Sequence, residues 1–127
     1  MIDLCYLRHI LTDVKRIEET LKRETSLTLN EALCVCQIDK GNIEPSSLSK
    51  ELSLSLSRTS RVIDSLVKKD LVERIHDDKD RRNIRVTLTE EGEKTGKKLH
   101  TISLDIPDYL IKTVTEIEDI ISTGENT

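Results

Sequence analysis

SLSRTSRVIDSLVKKDLVERIHDDKDRRNIRVTLT, residues 55–89, changes its apolar spacing partway along. Thr59, Val62, Ile63 and Leu66 recur at three and four, the spacing of one helix face. That leaves Ser57, Arg58, Ser60, Arg61, Asp64 and Lys68 on the other. Ser55 stands where an N-cap belongs, so the spacing predicts a helix over 56–69. Asp70 follows as a left-handed cap, a position Gly usually fills. Beyond it the period drops to two. Residues 71–76 and 83–89 read as short strands, with Ile84, Val86 and Leu88 alternating against Arg85 and Thr87. The charged tip DDKDRR lies between them, and nothing in it helps a core form.

The positive charge of the chain gathers in this same stretch. From Arg58 to Arg85 there are nine Lys or Arg residues against six acids, a local excess of +3 within a chain of net charge −4. A locally basic helix and loop on an acidic protein imply a directed contact with a polyanion.

Outward from this centre the chain reads as helices. Leu4, Leu7, Ile10, Leu11, Val14, Ile17 and Leu21 form one stripe from Ile2 to about Glu24. Its length of apolar surface calls for a cover, either this chain or a second copy. Thr28 and Glu31 have capping-box spacing and open a second helix, which Lys40-Gly41-Asn42 stops. Pro45 opens a third, short helix with Leu48 and Leu52 one turn apart, and Ser53 to Ser55 turn into the fourth. Further helices are expected over about 90–104 and 107–122, the latter with an apolar stripe of Ile106, Leu110, Val114, Ile117 and Ile121.

At 127 residues the chain is expected to form a single domain, residues 1–127. Phe and Trp are absent and Tyr occurs twice, so Leu, Ile and Val must build the core. There is no aromatic platform for unpaired bases, which disfavours single-stranded nucleic acid. Asp3, Arg8 and His9 interrupt the N-terminal stretch before a secretory apolar core can form, and no apolar run approaches a membrane span, so the expected location is cytoplasmic without membrane partners. Three cysteines, an odd number, fit reduced thiols.

Two short helices joined by a tight turn, the second presenting serines and arginines near its start, provide what reading base edges in a major groove requires. At these residues the chain resembles the MarR family of bacterial winged helix-turn-helix regulators. The resemblance covers LSKELSLSLSRTSRVIDSLVKKDLVERIHDDKDRRNIRVTLTEEG, residues 48–92, and is most specific in the DxxDRR loop followed by VTLTEEG. It implies a mainly α fold with a small β-hairpin: a winged helix-turn-helix core over 28–92, flanked by N- and C-terminal dimerisation helices over 1–24 and 93–123. It also implies a homodimeric repressor on a palindromic double-stranded operator, responsive to a small-molecule effector and without a cofactor. Carried across by position, Ser55, Ser57, Arg58 and Arg61 face the major groove, with Ser60 beside them. Arg81 or Arg82 enters the minor groove with Asp80 bracing the wing. Lys68, Lys69 and Arg74 are read as phosphate contacts. Ser53 and Asp70 depart from the family's more usual Gly, and the part after Gly92 is short for a family dimer.

Other readings attach to the remaining residues. Winged-helix surfaces also serve as protein-interaction modules. Some branches of the resembled family sense peroxide through a cysteine in the first helix with a Tyr nearby, so the resemblance makes Cys5, next to Tyr6, the candidate oxidant sensor. Cys34 and Cys36, two apart on a helix, point to different sides and read as core. His9, His76 and His100 lack metal-ligand spacing, and no nucleotide-binding loop or nucleophile pattern supports an enzyme.

Overall fold

The computed structural model describes residues 3–76, 79, 83–102 and 104–124. A 3-10 turn at Leu4–Tyr6 leads into α1 (Leu7–Thr25), followed by α2 (Leu29–Asp39), α3 (Pro45–Leu52) and α4 (Leu56–Lys68). The strands β1 (Val72–His76) and β2 (Ile84–Leu88), then α5 (Glu90–Thr101) and α6 (Asp108–Gly124), complete the order. The first helix starts later than its stripe suggests. Asp3 caps the tight turn by accepting from the Cys5 amide at 2.9 Å, so regular α geometry begins only at Leu7.

The chain divides into two compact units, Leu21–Ile102 and the paired ends Met1–Thr20 with Ser103–Thr127. In the larger unit α2 is the centre, packing on α3, α4, α5 and β2. Its core is aliphatic: Leu27, Val35, Leu48, Ile63, Leu66, Val72 and Val86 are all but inaccessible, with Cys34 and the methyl-bearing Thr59 among them. Fully burying each aliphatic side chain is worth roughly 1.5–3 kcal/mol, which is how a core without Phe or Trp holds.

Local chemistry sets the joints. Thr28 and Glu31 make the reciprocal capping box of α2, and Pro45 occupies the first turn of α3. Ser53 and Asp70 have φ of 54° and 61°, the left-handed geometry that lets α3 turn into α4 and α4 turn into β1. The strands pair antiparallel, Val72 opposite Leu88 and His76 opposite Ile84. The carbonyl of Ile43, in the loop before α3, accepts from the Val86 amide at 2.8 Å and ties the hairpin to the helices. Thr89 closes the other end. Its amide and hydroxyl donate to the carbonyls of Leu71 and Asp70. Gly92 then lies so near that joint that a Cβ there would sit 2.0 Å from the Leu71 carbonyl oxygen.

In the smaller unit Tyr109 of α6 donates its phenol hydrogen to Asp13 of α1. The apolar stripes remain open along most of both helices. Leu4, Leu7, Ile10 and Leu11 are exposed at one end of the chain, and Ile111, Val114, Ile117, Ile120 and Ile121 at the other. Among the described residues, no helix is long and apolar enough to cross a membrane.

Candidate nucleic-acid interface

The start of α4 is built from short polar side chains. Ser55 caps the helix by accepting from the Arg58 amide at 3.1 Å, and its hydroxyl lies 3.3 Å from that of Ser57. Ser49 donates to the Leu54 carbonyl, and the Leu54 amide returns to the Ser49 carbonyl, so the turn between α3 and α4 is held from both sides. Thr59, Ile63 and Leu66 anchor the opposite face in the core. Ser57, Arg58, Ser60 and Arg61 are consequently all exposed on the first two turns. Leu56 stands among them, 62% exposed, although its spacing carried no functional signal in the sequence. What could have singled it out is a large apolar residue at a helix start with no place in the buried stripe.

The basic residues at the other end of α4 separate. Lys68 is exposed. Lys69 turns inward instead, its ammonium bonding to the Glu31 carboxylate at 2.9 Å and to the Ser26 carbonyl at 2.8 Å. Arg74, on β1, donates to the Asp64 carboxylate and to the Ser60 carbonyl, both on α4. Two cations read from the sequence as phosphate contacts are therefore engaged in fixing α4.

Glu31 was the residue that spacing could not reveal as more than a cap. It is buried, yet each carboxylate oxygen has partners: the Thr28 amide at 2.9 Å, the Ser65 hydroxyl at 2.8 Å and the Lys69 ammonium. Burial pushes its pKa up, but the bonds from Thr28, Lys69 and Ser65 outweigh burial and the carboxyl ends below the usual value. Its charge also acts on a neighbour. Burial first, and Glu31 second, push the Cys34 thiol up to about 12, which makes that cysteine an inert core residue.

Arg81, Arg82 and Asp80, with Asp77 and Asp78, lie outside the described residues. The strands that carry this loop are described, and Arg85 faces outward on β2. Cys5 is exposed in the N-terminal 3-10 turn, whereas Cys36 is half-buried on α2. Among the described residues no three His, Cys, Asp or Glu side chains gather as a metal site.

Known proteins resemble this chain. The family model for MarR matches residues 27–84. Two Bacillus subtilis proteins named as uncharacterized HTH-type transcriptional regulators are similar to the chain. YfiV is 30% identical over 66% of the chain and YsmB 32% over 75%. The chain spans 52% and 66% of their own lengths. Among solved structures, Escherichia coli MarR in its apo form aligns with a TM-score of 0.66 at 27% identity, covering 99% of this chain and 94% of MarR. A cysteine-to-serine mutant of MarR complexed with operator DNA aligns at 0.70 and 23% identity, over 93% and 92% of the two chains.

Proposed function

Because the chain belongs to the MarR family of HTH-type transcriptional regulators, we propose that it is a homodimeric repressor that binds a palindromic double-stranded operator and releases it to a small-molecule effector. The observation that carries this reading is the exposed donor face of α4, where Ser57, Arg58, Ser60 and Arg61 stand on a helix whose other side is locked into the core. Serine and arginine donors at the start of such a helix reach base edges, and Leu56 offers an apolar contact for a thymine methyl. Ser55 sets the helix start, and Lys68 supplies phosphate affinity without sequence information. Arg74 serves the same interface by holding Asp64. By the resemblance, Arg81 or Arg82 would reach the minor groove, with Asp80 bracing the wing.

The apolar stripes left open on α1 and α6 support a second copy as their cover. In that dimer the two α4 helices lie about 34–36 Å apart, one turn of duplex. The reading is tested by selecting bound duplexes from a random pool, then titrating the winner and an unrelated duplex against salt. Preference for the winner with a steep salt slope is the expected result. Replacing Arg81 and Arg82 by Ala should weaken both duplexes and flatten that slope. Equal, salt-insensitive binding of all duplexes would instead favour a protein-interaction module.

A further inference from the structure

We propose that Glu31 and Lys69 form a positioning pin that fixes the rotation of α4 about its own axis, and hence where Arg58 and Arg61 present their guanidinium groups. The proposal rests on the DNA-reading role of α4 given above. Helical spacing provides the first part of the argument. Arg58, Arg61, Ser65 and Lys69 follow one another at three, four and four residues, so they form one row along α4. The first two members of the row are exposed arginines. The last two, Ser65 and Lys69, both bond to Glu31, at 2.8 and 2.9 Å.

Directionality provides the second part. Thr59, Ile63 and Leu66 bury α4 by apolar contact, which favours area over any one angle. A carboxylate bonded to two members of a single row has no such freedom, because a turn of the helix in either direction breaks the bonds. Glu31 cannot follow, since the Thr28 amide holds it at the N-terminus of α2. Lys69 is held a second time, by the carbonyl of Ser26, itself in left-handed geometry at φ 61° just after α1. Glu31 is also the single charged residue buried among the described residues. Its partner Lys69 keeps 34% of its side chain exposed, so the pair runs from the core to the surface at the end of α4 and ties the two together there.

The test compares the full-length protein with Lys69→Met, and with Lys69→Met combined with Glu31→Gln. Gln keeps the capping box, so the second variant removes the stranded charge without opening α2. Probes are a duplex selected by the wild-type protein from a random pool and an unrelated duplex of equal length, each titrated across salt. Circular dichroism confirms that each variant is folded at the assay temperature. The pin predicts that Lys69→Met lowers the ratio of selected to unrelated affinity about tenfold at an unchanged salt slope, with part of the ratio regained in the double variant. An equal loss on both duplexes with a salt slope reduced by about one would overturn it, making Lys69 a phosphate contact. So would an unchanged ratio. If the wild-type protein enriches no duplex at all, the DNA-reading premise falls and takes the pin with it.

Discussion

Arg74 on β1 donates to the carboxylate of Asp64 on α4, and the same guanidinium nitrogen reaches the Ser60 carbonyl one turn earlier. The wing is thereby joined to the helix it accompanies by one guanidinium nitrogen, which grips a side chain and the backbone together. The side chains of Arg74 and Asp64 are 28% and 53% exposed, so the pair contributes only about 0.5–1 kcal/mol to stability. Its effect on binding should be larger than that. Arg74→Ala is expected to leave the urea midpoint nearly unchanged and to weaken duplex binding about tenfold. Arg74→Lys should recover only part of it, because an ammonium has hydrogens for both acceptors but sits on a shorter, unguided stem. Full recovery by Lys would show that charge alone matters here.

Gly92 leads to a prediction about folding. Its missing side chain is what allows α5 to start against the Leu71 carbonyl, since a Cβ would lie 2.0 Å from that oxygen and 3.2 Å from the Leu88 Cβ. The obstacle is backbone, which cannot swing aside as a side chain can. Gly92→Ala should therefore destabilise the larger unit by about 2–3 kcal/mol, read as a lower midpoint in chemical denaturation. Gly41→Ala is a useful contrast, being strained by its φ of 102° with open space around it, and should cost about 1 kcal/mol. A Gly92→Ala midpoint equal to wild type would mean that α5 is not seated as described.

Glu31 sets the expected acid response. Burial alone would raise its folded pKa, but the three hydrogen bonds to the carboxylate outweigh burial and hold it below the usual carboxylate value. For an acid lowered on folding, the stabilising contribution is fully present above the unfolded value. It is lost as pH falls through the folded one, at about 1.4 kcal/mol per unit of difference. Wild type and Glu31→Gln should thus differ in unfolding free energy by a constant amount between pH 5 and 7, and the difference should shrink below pH 4.5. Parallel curves down to pH 3 would show that Glu31 does not titrate with folding.

How far the sequence could be read depends on whether a feature is periodic or pairwise. The capping box of α2, the left-handed Asp70, the Ser55 cap and the alternation of β2 each reside in a few neighbouring residues, so they were legible directly. The face carrying Ser57, Arg58, Ser60 and Arg61 follows from where Thr59, Ile63 and Leu66 must go. Lys69 and Arg74 were harder to place. Their partners stand 38 and 10 residues away, and no local spacing tells a solvated cation from one turned inward. Leu56 did carry a local sign, as a large apolar residue at the helix start with no place in the stripe of Thr59, Ile63 and Leu66.

The open stripes of the terminal helices give the last prediction. Val114 and Ile117 on α6 are 53% and 48% exposed, on a face that repeats through Ile121. If a second copy covers them, a single charge placed there must be buried without a partner, which is costly at a dimer seam. Replacing Ile117 by Glu should therefore give a monomer in light scattering at micromolar concentration. Helix content and the midpoint of the larger unit should hardly change, because Ile117 belongs to the other compact unit. Binding to a palindromic duplex should then fall by 10² or more, on the order expected when two linked contacts become independent. A variant that remains dimeric would place the seam elsewhere. A wild-type protein that is itself monomeric would remove the geometry on which two α4 helices share one face of the duplex.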